Sequence, residues 1–76
     1  MRHYLKTLTR FYEAVENGTK TFEVRLNDRH YSVGDTLILQ EWTGVELTGR
    51  EITKKITYIL YDYQYCQKGY VIMAIK

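Results

Sequence analysis

The 76-residue sequence predicts a single α+β domain that is mostly β, a small barrel of about five strands with one helix packed at its side. Three observations carry this expectation. One segment near the N-terminus spaces its apolar residues as a helix does, while the remaining structured segments follow the period of a strand. The chain has the apolar content of a folded domain, 45% of residues. And a chain of this length buries only about 60% of its extended surface, which allows one modest core and no second lobe.

His3 to Lys6 is a short strand candidate. Residues 8–17, LTRFYEAVEN, put Leu8, Phe11, Tyr12 and Val15 at helical spacing, with Thr7 or Thr9 available as N-cap. Asn17-Gly18 supplies the stop, because glycine tolerates the left-handed conformation beyond a helix end. Phe11 and Val15 are expected to pack against the sheet.

The period then changes to two. In residues 21–26, Phe22, Val24 and Leu26 alternate with Thr21, Glu23 and Arg25, and the apolar set is expected in the core. Tyr31-Ser32-Val33 leads into a turn at Gly34-Asp35. TLILQEW (36–42) is the next strand, with Leu37, Leu39 and Glu41 on one face and Ile38, Gln40 and Trp42 on the other. TGVELTGR (43–50) reads as a loop punctuated by Gly44 and Gly49. Residues 51–61 form a long β-rich run, 62–69 a polar loop rich in tyrosine, and 70–75 a closing strand with apolar residues on both faces.

The element order is therefore β-α-β-β-β-β. One short helix cannot cover an apolar face as large as a flat five-stranded sheet presents. Rolling the mostly antiparallel sheet into a barrel buries that face and removes exposed edges. The run after residue 50 is long enough to bend and serve both sides.

The composition excludes several classes of function. The longest apolar run, Tyr58 to Tyr61, is far too short to cross a membrane, and the segment after Met1 lacks an apolar h-region. One cysteine, Cys66, and two histidines cannot build a zinc site or an internal disulfide, so no metal or cofactor is expected and a reducing cytoplasm is the default compartment. Cys66 has no histidine near it in sequence to activate it. No phosphate-cradling glycine loop or Ser-His-Asp order occurs. A net charge of +2 permits anion binding without demanding it.

The densest polar cluster is Lys20, Glu23, Arg25, Asp28 and Arg29. Alternation alone points these side chains away from the core, as a solvated face with an exposed Glu–Arg pair. The same residue types also suit a ligand cleft, with Lys and Arg donating to phosphate and Glu accepting from a base amine. Eight tyrosines stand against two phenylalanines, and Tyr61, Tyr63 and Tyr65 cluster in the C-terminal third, where rings beside basic residues can stack bases. Tyr58 and Tyr70 fit ordinary half-buried strand surface.

Gly18-Thr19-Lys20-Thr21-Phe22-Glu23-Val24-Arg25 resembles the GxKxxExR signature of the ASCH (activating signal cointegrator homology) domains of the PUA-like superfamily. His3, Leu5 and Lys6, the helix with Tyr12 and Val15, Asn27-Asp28-Arg29, Val33-Gly34-Asp35, Glu41 and Gly49-Arg50-Glu51-Ile52 resemble a small bacterial and phage subfamily of unknown function in that group. The resemblance covers essentially the whole chain. It implies a β-barrel with a helix at its side and a cleft beside the signature that binds RNA or a modified nucleotide. By position it assigns Lys20, Glu23 and Arg25 to that cleft. Arg29 of the same polar cluster is a further candidate ligand contact, and His3, Lys6 and Tyr61 are weaker candidates.

Some ASCH relatives hydrolyse an acylated cytidine with a Lys, a Thr and a Glu. Lys20 matches that lysine, but Glu23 stands where the nucleophilic Thr belongs. The resemblance therefore favours a binding module without catalytic residues. The alternatives are a nucleoside hydrolase using Lys20 and Glu23 as acid and base, and a protein-interaction domain.

Overall fold

The computed structural model describes residues 1–76, and its elements run β1 (Arg2–Leu8), α1 (Thr9–Glu16), β2 (Phe22–Leu26), β3 (Thr36–Trp42), β4 (Leu47–Leu60) and β5 (Tyr70–Ile75). The expected order β-α-β-β-β-β holds. β1 is longer than the sequence suggested and passes directly into the helix. Leu8 occupies the N-cap and no side chain caps the first turn. Neither Thr7 nor Thr9 takes that role. Thr7 is a buried strand residue whose hydroxyl donates to the Leu5 carbonyl.

At its other end the helix closes with a Schellman arrangement. Gly18 N–H donates to Val15 O and Thr19 N–H to Ala14 O, with Gly18 in the left-handed region at φ 85°. Lys20 N–H also donates to Ala14 O, so the chain is tied back to the helix until the residue before Thr21.

The strands form one sheet in the order β1-β3-β4-β5-β2. β1 lies parallel to β3, and the β3–β4, β4–β5 and β5–β2 ladders are antiparallel. β4 serves both halves, as its length implied. Residues 47–55 pair with β3 and residues 56–60 with β5, and the β5 register shifts between Ile56 and Tyr58. Where a loop was expected over 43–50, the chain makes a turn at Thr43–Glu46 and re-enters the sheet at Leu47.

The sheet does not close into a barrel. β1 and β2 are its two edges, and no backbone ladder joins them. Arginine side chains from β2 and the segment after it reach the carbonyls of β1 instead. The coarse α+β architecture stands, while full closure is corrected.

The core lies on the concave side, where Leu5, Leu37, Leu39, Ile56, Ile59, Val71, Met73 and Ile75 meet Val15 of the helix and Tyr31. On α1 the inward residues are Tyr12 and Val15, and Phe11 stays substantially exposed, a second correction. The phase of β2 is also opposite to expectation. Glu23 pairs with Met73 and Arg25 with Val71, both on the concave face, whereas Phe22, Val24 and Leu26 are 46%, 50% and 50% exposed. The inward side of this edge strand faces an open seam rather than closed core. Charged groups with partners are stable there, and inward charges also blunt an edge against further pairing.

Candidate functional site

The seam between β1, α1 and β2 is a cleft of about 380 Å³, lined by Lys6, Thr7 and Leu8 of β1, Phe11 of α1, and Lys20 with residues 22–25. A smaller cavity of about 160 Å³ lies farther along the same seam, between Leu5, Arg25, Leu26, Asp28, Arg29 and Tyr31. Arg25 lines both and stands as the partition between them.

Glu23 organises the cleft. Its side chain is almost wholly buried, and each carboxylate oxygen accepts one charge-assisted bond. Lys20 Nζ donates to Oε1 at 2.6 Å and Arg25 Nε donates to Oε2 at 3.1 Å. Lys20 Nζ also donates to the Phe22 carbonyl at 2.7 Å. Arg25 Nη2 reaches the Lys6 carbonyl at 3.1 Å and the Thr7 hydroxyl at 3.4 Å. The floor is thus a closed charge pattern of cation, anion and cation, tied to the backbone on both sides.

Two rings that sequence reasoning placed in the core flank this floor. The Lys20 ammonium lies 4.9 Å from the Phe22 ring centroid and 5.9 Å from that of Phe11, within cation–π range of both. Both rings also remain open to solvent. The site is therefore an apolar-walled slot with a polar floor, a form suited to a flat organic ring bearing a few hydrogen-bonding atoms. The sequence offered no signal for this role, because Phe11 and Phe22 sit on the apolar phase of their elements.

The family described as Domain of unknown function (DUF3850) matches residues 2–75, essentially the whole chain. The chain belongs to that family. A further relative is the "Uncharacterized 12.9 kDa protein in GpA 3'region" of Escherichia phage P2, 42% identical over 55 residues. That match covers 72% of this chain and 50% of the phage protein, so the chain spans about half the length of that curated relative.

In this DUF3850 domain the other sequence-predicted residues scatter. Lys6 reaches the cleft wall, and its ammonium stands 4.2 Å above the Trp42 ring. Arg29 lies in the second cavity and donates from Nη1 to the Tyr4 carbonyl at 2.8 Å. Tyr61 follows the end of β4, exposed and outside the cleft.

His3 is buried and outside the cleft. Its Nε2 lies 2.8 Å from Asp35 Oδ2, and its ring packs edge-on against Tyr31 at 4.7 Å. The His3 hydrogen bond, aided by the terminal amine of Met1 and the Ser32 N–H, holds the Asp35 carboxyl at about 2.

Glu41 and the Gly49-Arg50 segment form a second ion-pair network beneath the helix. β4 carries two more residues than β3 between the Gln40–Glu51 and Trp42–Leu47 pairs. This bulge, with Gly49 at φ 95°, turns both Thr48 and Arg50 onto one carboxylate. Arg50 donates to Glu41 from Nε at 2.9 Å and Nη2 at 3.1 Å, and the Thr48 hydroxyl donates at 2.6 Å. The Arg50 guanidinium, then Thr48, hold the Glu41 carboxyl at about 2. Arg50 also lies 4.9 Å from the ring centroid of buried Tyr12, which couples this network to α1. Cys66 is half-buried in the 62–69 loop, where its thiol donates to the Asp62 carbonyl at 3.3 Å.

Proposed function

We propose that this domain is an RNA- or modified-nucleotide-binding module that takes a nucleobase into the cleft beside Lys20, Glu23 and Arg25. The observation that carries the reading is the buried Glu23 carboxylate, fixed between two cations at the base of a slot walled by Phe11 and Phe22. Each carboxylate oxygen retains acceptor capacity for an exocyclic amine. The phenyl rings offer stacking surface, which is tolerant of base identity. The GxKxxExR segment supports the same reading, since residues 18–25 resemble the ASCH signature within the PUA-like superfamily.

The geometry favours recognition over proton transfer. The Lys20 ammonium is already engaged by Glu23 and the Phe22 carbonyl, and Arg25 by Glu23 and the Lys6 carbonyl. These cations have few donors left for phosphate, so the base supplies most of the affinity. Calorimetric titration with a panel of unmodified and modified nucleosides and a short single-stranded RNA tests the proposal. Binding is expected with a shallow salt dependence, a log–log slope no steeper than about −2. Absence of binding to every nucleoside and RNA at low salt would overturn it.

A further inference from the structure

The convex face of the β2–β5–β4 half-sheet carries no charge at all. Phe22 and Tyr58 both stand opposite Ala74, Val24 and Leu60 both opposite Ile72, and Leu26 opposite Tyr70. Directly opposed residues of an antiparallel pair project from the same face, so these side chains form one continuous apolar surface across three strands. Tyr58, the most exposed of them, is 64% accessible. A surface strand normally alternates apolar-in with polar-out. Here β5 is apolar on both faces and β2 turns its apolar face outward, so Phe22, Val24, Leu26 and Tyr58 stay exposed around the half-buried Leu60, Tyr70, Ile72 and Ala74.

We infer that this face is the interface of a weak homodimer, formed when a second copy of the chain packs its own β2–β5–β4 face against it. Size is the first argument. From the exposures and ordinary side-chain areas, the patch offers roughly 500 Å², at the upper end of what a monomer leaves uncovered. Two such patches joined bury roughly 1,000 Å², the lower bound for a specific interface. That area supports a concentration-dependent dimer rather than an obligate one.

Charge is the second argument. An isologous contact sets the patch against itself, so any charged residue projecting from it would be desolvated against its own copy; none does, and the Lys20 ammonium meets only the Phe22 ring at the margin. Relief is the third. Small Ala74 lies between Phe22 and Tyr58, a shallow groove between two aromatic ridges, so a ridge of one copy can enter the groove of the other. Sheet extension through the β2 edge is the competing geometry. That edge is occupied by the seam, where Arg25 bridges to β1.

Sedimentation velocity of the full chain from about 10 μM to about 1 mM tests the inference, with circular dichroism confirming the fold of each variant. The wild type is expected to move from monomer toward dimer as concentration rises, and its melting temperature to rise with it. Val24→Glu, and separately Tyr58→Asp, are expected to keep the fold, remain monomeric throughout and melt at a concentration-independent temperature. A wild type that stays monomeric to about 1 mM would overturn the inference. So would dimers that persist in both folded variants. Flotation of the monomeric wild type with phosphatidylcholine vesicles, abolished by Val24→Glu, would assign the face to a lipid surface and equally overturn it. Val24 also lines the cleft, so Tyr58→Asp, which alters no cleft residue, is the variant that separates dimerisation from the cleft's ligand.

Discussion

Arg25 on β2 reaches across the open side of the sheet and donates from Nη2 to the main-chain oxygen of Lys6 on β1, 3.1 Å away. Arg29 does the same to the Tyr4 oxygen, two residues earlier along β1. Where a closed barrel would have a backbone ladder, this domain has two guanidinium bridges. A ladder would leave no space between the edges, whereas long side chains hold them apart and leave the cleft.

Arg25→Ala removes one bridge and one partner of Glu23. It is expected to lower unfolding free energy by about 1–3 kcal/mol in urea denaturation. Arg25→Lys is expected to recover only part of that loss, because an ammonium cannot serve Glu23 and the β1 carbonyl with the fixed fork of a guanidinium. Full recovery by lysine would show that charge alone matters at this position.

Glu23→Gln keeps the shape of the side chain but leaves Lys20 and Arg25 without their anion. A loss of about 1–3 kcal/mol is expected, with far-UV circular dichroism unchanged. Nucleoside binding is expected to weaken at least tenfold, because the amide presents a donor where the floor needs an acceptor. Unchanged affinity would remove Glu23 from recognition.

Two carboxylates away from the cleft set the acid limit of stability. Asp35 is held at about 2 against an ordinary 3.8, and Glu41 at about 2 against 4.5. Both values are depressed in the folded state. Their stabilisation is therefore complete above the ordinary values and is lost as pH falls from about 4.5 toward about 2. Melting temperature should stay nearly level from neutral pH to about 5 and then fall steeply. Glu41→Gln should lower it at neutral pH and reduce the acid drop. An undiminished drop in both Glu41→Gln and Asp35→Asn would locate acid sensitivity elsewhere.

The phase of β2 is itself testable by packing. Met73 is fully buried opposite Glu23, and Met73→Ala is expected to cost about 2–5 kcal/mol. Leu26→Ala, on the exposed face of the same ladder, should cost less than about 1 kcal/mol in dilute solution. A Leu26→Ala cost as large as that of Met73→Ala would contradict this phase of β2.

Much of this architecture was legible in the residues. The helix, the Asn17-Gly18 stop, the strand at 36–42 and the closing strand at 70–75 each follow from a local signal and lie close to where it puts them, although only Tyr12 and Val15 of the helix stripe face inward. The direction of β2 was not legible, because alternation separates two faces without saying which one meets the core. Glu23 lies inward because Lys20 and Arg25 satisfy it, and their mutual reach is a tertiary fact. The His3–Asp35 and Glu41–Arg50 pairs were hidden for the same reason, the first spanning 32 residues of sequence and the second depending on a bulge. Phe11 and Phe22 were read as core because their spacing is that of core residues. Only the unclosed seam exposes them.

The central claim is that a nucleobase enters the slot between Phe11 and Phe22 above Glu23. It is tested most directly by following backbone amide resonances during titration with unmodified and modified nucleosides. The account predicts saturable shifts at Phe11, Lys20, Phe22, Glu23 and Arg25 that vanish in Glu23→Gln. No saturable shift with any nucleoside, or shifts confined to the Tyr61–Tyr65 segment or to Tyr58, Leu60 and Ile72, would contradict it.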